Sequence, residues 1–338
     1  MAPYHPPTSG RAGKLRLDFN ENTVGCSPQV LKYLRERLSE ETLTIYPEYD
    51  ATRAALARFL NLPEDQFLIT NGTDEAIQVL VNTFVNEGDD VIILTPSYAM
   101  YKFYAELAGA SIRLLPYRTE TLAFPVEELL AGIWPETRAI LISSPNNPTG
   151  TGLPLEAAER ILAAAPRAAV LIDEAYFEFC GVTALPLLAR HENLFVSRTF
   201  SKAFGMAALR VGVLASSAGN VAWMHKAQSP YSVNLLAAIA VRGALEDPEY
   251  VARYVREALA ARDLLYAGFR RMNISYYPSE ANFVLFRAGE RAIEVRDALR
   301  ERGVLVRDRS YEIPGCVRVT AGTRTQAERF FAALEEIW

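Results

Sequence analysis

From residue 67 onward one pattern recurs: a short apolar run, a polar tip, then a stretch with helical spacing. Phe67–Thr70 ends at Asn71-Gly-Thr-Asp74, and Val91–Thr95 at Pro96-Ser-Tyr98. Ala139–Ser143 ends at Ser144-Pro-Asn-Asn-Pro-Thr-Gly150, Ala169–Ile172 at Asp173-Glu-Ala-Tyr176, and Leu194–Val196 at the stretch Ser197–Gly212. Apolar runs without polar alternation are strands covered on both faces. Alternating with helices, they imply an α/β fold whose large domain is a mostly parallel sheet covered by helices. Ligands of such sheets sit at the carboxyl ends of the strands, so the five tips should line one crevice.

After residue 235 the pattern changes. Asp247-Pro248 is a capped helix start, and its apolar stripe runs to about Met272. Shorter strands are predicted over 274–277, 282–287, 304–307 and 317–320, with a helix between the middle two and an amphipathic helix to Trp338. These elements make a smaller α+β domain. Residues 1 to 25 are a polar, Pro-rich arm, followed by a helix from about Pro28 to Leu38 with Ser27 as its N-cap. Residues 50–60 have helical spacing as well. The resulting division is an N-terminal arm and helix over 1–40 belonging to the small domain, a large domain over 41–235, and a small C-terminal domain over 236–338.

Composition narrows the function classes. Half of the 338 residues are apolar and the net charge is −5, with no Lys/Arg block, which argues against nucleic acid as a partner. No apolar run approaches the roughly 18 residues that span a bilayer, so no membrane association is expected. The first ten residues hold no apolar signal core, and the expected location is cytoplasmic. Cys26, Cys180 and Cys316 are far apart, as in a reduced compartment. His5, His191 and His225 are equally scattered, and no metal site is expected.

Several residues at the tips carry chemistry. A lysine between a strand end and a Gly-bearing segment, Lys202, can be desolvated and used as a free amine for a Schiff base. Ser201 and Arg210 can grip a phosphate beside it, or all three can be ordinary loop residues. Asp173 closes an apolar strand, where a carboxylate needs a cationic partner. It reads either as a cap or as the counter-charge of a protonated ring nitrogen, which keeps that ring an electron sink. Its neighbour Glu174 points to the opposite face. Gly72, Thr73 and Asp74 open a helix whose free N–H groups suit a phosphate, or simply form an N-capped start. Tyr98 can stack on a planar ligand or pack in the core. Asn147 lies in a turn, and Arg318, between two valines, is either a solvated strand residue or a carboxylate clamp.

Taken together, this chain resembles the fold-type I, pyridoxal-phosphate-dependent aminotransferases, and within them the histidinol-phosphate aminotransferases. The likeness runs over nearly the whole chain. It is carried by Phe19-Asn-Glu-Asn22, Ile45-Tyr-Pro-Glu48, Asn71-Gly-Thr-Asp-Glu75, Ser144–Gly150, Asp173-Glu-Ala-Tyr176, the lysine stretch and Gly315-Cys-Val-Arg-Val-Thr-Ala-Gly-Thr323. Two departures stand out: Thr23 where the family has Pro, and Ala208 where it has Gly in Ala-Gly-Leu-Arg.

The resemblance implies that Lys202 bonds pyridoxal 5'-phosphate covalently, with Lys202, Asp173 and Tyr176 catalytic. Asp173 is implied to pair with the ring nitrogen, Asn147 and Tyr176 with the ring oxygen, and Tyr98 to stack on the ring. The phosphate falls to Gly72, Thr73, Asp74, Thr199, Ser201 and Arg210, and to Tyr46 of the second subunit of a homodimer with shared active sites. Arg318 and Asn147 are implied to bind substrate, with Arg307 and Tyr4 near its phosphate arm. The partners implied are a small-molecule amine, histidinol phosphate, and a 2-oxo acid acceptor, 2-oxoglutarate. The alternatives on the same fold are an aromatic amino acid aminotransferase and a threonine-phosphate decarboxylase. A regulator without turnover is the reading from another class, and the arm before Asn20 is too short for the helix-turn-helix it would need.

Overall fold

The computed structural model describes residues 9–118 and 120–338. In the N-terminal arm, β1 (Leu15–Arg16) pairs in parallel with a strand near the C-terminus. The main sheet, among the described residues, holds β2 (Phe67–Thr70), β3 (Asp90–Thr95), β4 (Ser111–Pro116), β5 (Thr137–Ser143), β6 (Ala169–Asp173), β7 (Leu194–Thr199) and β8 (Gly212–Ala215). Their spatial order is β2-β8-β7-β6-β5-β3-β4, and β8 runs antiparallel to both its neighbours. The sheet is therefore mostly parallel, as the unbroken apolar runs required.

Side-chain alternation explains why those runs are apolar throughout. Ile92, Leu94, Ile140 and Ile142 enter the core on one face. Val91, Ile93, Ala139 and Leu141 enter a second core on the other, beneath the helix Gly72–Phe84. Sequence reasoning missed β4 and β8. β4 is an edge strand with half-exposed side chains and no apolar run. β8 is only four residues long and follows the lysine stretch directly.

The C-terminal part forms a smaller antiparallel sheet. β9 (Tyr276–Tyr277), β10 (Phe283–Arg287), β12 (Arg307–Asp308) and β13 (Cys316–Thr320) lie in the order β12-β13-β10-β9. β11 (Val304–Leu305) leaves this sheet and pairs with β1. The strand expected over 304–307 is thus two strands, because the chain changes pairing partner around Val306. Val284, Phe286, Val317 and Val319 bury one face of the small sheet with Phe269 and Phe330. Phe283, Leu285 and Cys316, on the other face, join the main core.

The helix Pro28–Arg37 starts as expected, with Ser27 Oγ accepting from Gln29 N at 3.1 Å. It packs on the helix Leu235–Leu245 at Gly243, where a Cβ would stand 2.9 Å from Gln29 O. The helix Pro248–Arg271 is 24 residues long, about 36 Å. Its first half buries Val251, Tyr254 and Ala258 in the main core, and its second half Ala261, Leu265 and Phe269 in the smaller one. Among the described residues no helix is long and apolar enough to cross a membrane.

Candidate active site

The five strand tips meet in one cleft. Thr73 and Asp74 enter it after β2, Tyr98 after β3 and Asn147 after β5. Asp173 and Tyr176 enter after β6, and Thr199, Ser201 and Lys202 after β7, with Arg210 beside them.

Asp173 is the last residue of β6 and pairs in register with Ser197 of β7. It is 2% exposed. Tyr101 Oη donates to its Oδ2 at 2.7 Å, and Ser197 Oγ to its Oδ1 at 2.8 Å. Burial pushes its carboxyl up to about 6, although both hydroxyls pull the other way. These two donors are neutral, so a cationic ring nitrogen would complement the carboxylate. Glu174 points to the opposite face, as expected, where it meets Arg198 Nε at 2.8 Å.

Lys202 Nζ donates to Phe19 O at 3.1 Å and lies 5.7 Å from the centre of the Tyr176 ring. Arg210 reaches Ser201 Oγ at 3.4 Å and Asp74 Oδ2 at 3.1 Å. Its guanidinium rests on the first turn of the helix Gly72–Phe84. A Cβ on Gly72, whose φ is +74°, would stand 2.6 Å from Arg210 Nη2. Thr73 Oγ1 is buried there without a hydrogen-bond partner among the described residues. Tyr98 Oη donates to Asp74 Oδ1 at 2.7 Å. A helix N-terminus, a glycine cradle, an orphaned hydroxyl and an arginine together make a fitting seat for a phosphate. With Asp173 and Lys202 in the same cleft, the residues present fit pyridoxal phosphate.

The substrate side is built from the arm and the small sheet. Tyr176 Oη accepts from Asn20 Nδ2 at 2.9 Å. Arg318 donates through Nη1 to Asn147 Oδ1 and through Nη2 to Asp18 O at 2.7 Å. It is 4% exposed, so of its two readings the solvated one fails. Burial, and then the positive charges of Arg309 and Arg307, pull its guanidinium down to about 10. Its Nε is buried without a partner among the described residues. Arg307 pairs with Arg318 in register across β12 and β13, its guanidinium 5.4 Å from the Phe19 ring.

One expected site residue, Tyr46, does not line this cleft. Tyr46 is 73% exposed, its ring 4.4 Å from that of Tyr231. Tyr4 lies outside the described residues. The two departures from the family pattern are accommodated: Ala208 is exposed, and Thr23 Oγ1 donates to Gln326 Oε1 at 2.6 Å. Sequence reasoning missed the roles of Tyr101 and Ser197. Tyr101 follows Tyr98 by three residues at a helix start, a spacing that brings both to one side. Nothing local marks Ser197, because its contact depends on the β6–β7 register.

Comparison with known proteins agrees with this geometry. The profile of the family "Aminotransferase class I and II" matches residues 12–334. The histidinol-phosphate aminotransferase of Symbiobacterium thermophilum is 40% identical over 95% of this chain and 90% of its own. That of Thermococcus gammatolerans is 36% identical over 96% and 92%. A crystal structure of histidinol-phosphate aminotransferase from Sinorhizobium meliloti in complex with pyridoxal-5'-phosphate superposes with a TM-score of 0.86 at 25% identity, covering 96% of this chain and 90% of that one.

Proposed function

Because the chain belongs to the aminotransferase class I and II family, we propose that it transfers an amino group from histidinol phosphate to 2-oxoglutarate, in histidine biosynthesis, with pyridoxal phosphate as its cofactor. The observation that carries the reaction type is Lys202 in one cleft with the buried Asp173 and the Gly72–Arg210 cradle. The names of the two relatives support the substrate. So does the paired Arg307 and Arg318 on the cleft side of the small sheet.

Pyridoxal phosphate, when bound, supplies an aldehyde that takes up the substrate amine and a ring that draws electrons from the adjacent C–H bond. Asp173 would hold the proton on the ring nitrogen, and Asn147 and Tyr176 would hold the ring oxygen. Tyr98 would lie against the ring. The N–H groups of Gly72 to Asp74, with Thr199, Ser201 and Arg210, would hold the phosphate. Lys202 Nζ is the cofactor's attachment point. When free, it would be the base that takes the proton from the amine-bearing carbon and delivers it to the carbon of the former aldehyde, the 1,3-shift that amino transfer requires. Its bond to Phe19 O at 3.1 Å keeps it oriented in the meantime.

Arg318 serves two anions in turn. Histidinol phosphate presents a phosphate and no α-carboxylate, whereas glutamate, formed from the acceptor, presents a carboxylate. A planar guanidinium suits both. Asn147 Oδ1 and Asp18 O pre-set its plane. The exposed Tyr46 supports a homodimer in which this residue completes the phosphate site of the other subunit.

The test offers histidinol phosphate, phenylalanine and threonine phosphate separately to the purified enzyme with 2-oxoglutarate. Glutamate and CO2 are measured. Histidinol phosphate should give the highest kcat/KM for glutamate formation, without CO2. A preference for phenylalanine, or CO2 from threonine phosphate, would overturn the assignment.

A further inference from the structure

Three arginines stand together on the cleft side of the small sheet. Arg307 and Arg318 oppose each other across β12 and β13. Arg309 follows Arg307 by two residues and so points to the same side, and its N–H donates to Cys316 O at 2.9 Å. Such a cluster calls for anions, and one is built in. Glu312, in the turn between β12 and β13, forms an ion pair with Arg309 Nη2. The pair is largely enclosed, with side-chain exposures of 8% for Arg309 and 22% for Glu312. Burial pushes the Glu312 carboxyl up, while Arg309, Arg318 and Arg307, in that order, pull it the other way.

Other carboxylates nearby are engaged elsewhere. Asp308 accepts from Ser310 N at 2.8 Å and Ser310 Oγ at 2.6 Å. Asp18 and Glu21 pair with Arg11 at 2.8 and 2.6 Å. The cluster still has donors to spare: Nε of Arg309 and Nε of Arg318 are buried without partners among the described residues.

We propose that Glu312 is a specificity-determining residue, whose carboxylate offsets one charge of the Arg307–Arg309–Arg318 cluster and so limits the preference for a doubly charged substrate end over a singly charged one. The inference rests on the reading that this cluster holds the anionic end of the substrate. Its logic is electrostatic. A fixed negative charge repels a dianion twice as strongly as a monoanion at the same place. A clamp that must hold a phosphate in one half of the reaction and a carboxylate in the other works best when it does not retain the phosphate too tightly.

The experiment measures dissociation constants of the cofactor-loaded enzyme by calorimetry at a pH where phenyl phosphate is a dianion. The second probe is 3-phenylpropionate, a monoanion. Neither carries an amine, so neither reacts. Glu312→Gln should tighten 3-phenylpropionate by about threefold and phenyl phosphate by about tenfold, roughly the square, because the energy scales with ligand charge. Arg309→Gln should weaken both, the phosphate more. The double variant, which removes one charge of each sign, should return the ratio of the two constants to the wild-type value. If Glu312→Gln weakened both probes as Arg309→Gln does, the pair would be a structural strut and the proposal would fail. Equal changes for the two probes would also overturn it. A wild-type enzyme that bound neither probe would instead overturn the reading of the cluster as the substrate's anion site.

Discussion

Replacing Asp173 by Asn should make the cofactor-free protein more stable at neutral pH and its hold on the cofactor weaker. Asn has nearly the shape of Asp and keeps one oxygen for Tyr101 or Ser197. What it removes is a charge that is 2% exposed and, without cofactor, met by the neutral Tyr101 and Ser197 hydroxyls and the Ala175 N–H. The folded carboxyl sits at about 6 against an ordinary 3.8, chiefly through burial. A raised carboxyl holds its proton more tightly in the folded chain than in the unfolded one. The penalty is therefore absent below about pH 4, grows as pH rises, and is complete above about pH 7. Its full size is about 3 kcal/mol, of which about 1 kcal/mol develops between about pH 5 and about pH 7.5.

Urea unfolding of cofactor-free wild type and Asp173→Asn at those two pH values reads this directly. The stability difference should move by about 1 kcal/mol in favour of the variant at the higher pH. Contributions from other titrating groups cancel between the two proteins. With cofactor added the variant's advantage shrinks or closes, because a ring-nitrogen cation meets Asp173 in the wild type alone. A charge-assisted bond of about 1.5–3 kcal/mol makes cofactor binding about 10- to 150-fold weaker in the variant. A stability difference that stays constant with pH would refute the burial argument. Equal cofactor affinity would refute the pairing with the ring nitrogen.

Gly72→Ala places a Cβ 2.6 Å from Arg210 Nη2 at a φ of +74°, and should loosen cofactor binding, read by equilibrium dialysis, with little loss of fold as read by circular dichroism. Tyr46→Phe mixed with Lys202→Ala, after subunit exchange, should recover activity above the mean of the two parents, since one site of each mixed dimer carries neither lesion; no recovery despite proven exchange would count against shared sites. Arg307→Leu should lower kcat/KM for histidinol phosphate by about 10- to 150-fold, the worth of one charge-assisted bond, and affect phenylalanine much less, whereas equal losses would make Arg307 structural.

The amino-acid sequence by itself determined the parts of this protein that depend on neighbours along the chain. Unbroken apolar runs such as Val91–Leu94 and Ile140–Ile142 can only be strands covered on both faces, and the polar tips that follow them must share one end of the sheet. Ser27 before Pro28 and Asp247 before Pro248 start helices through bonds to groups two or three residues away. Lys202, Asp173 and Arg210 stood out for the same reason, as charges directly after apolar strands or in the stretch that follows. The tertiary structure decided what depends on register and on elements distant in the chain. The alternation in Val317-Arg-Val-Thr320 puts Arg318 on one face, but only the packing of that face toward the main core makes it a buried clamp held by Asn147 and Asp18. Tyr101 reaches Asp173 across 72 residues, and Asn20 reaches Tyr176 across 156. The edge strand β4, the antiparallel β8 and the division of residues 304–308 between two sheets were likewise set by pairing partners. A hydrogen-bond ladder or a burial partner contributed from afar leaves no periodicity in the segment that receives it, so these features emerge only when the chain is folded.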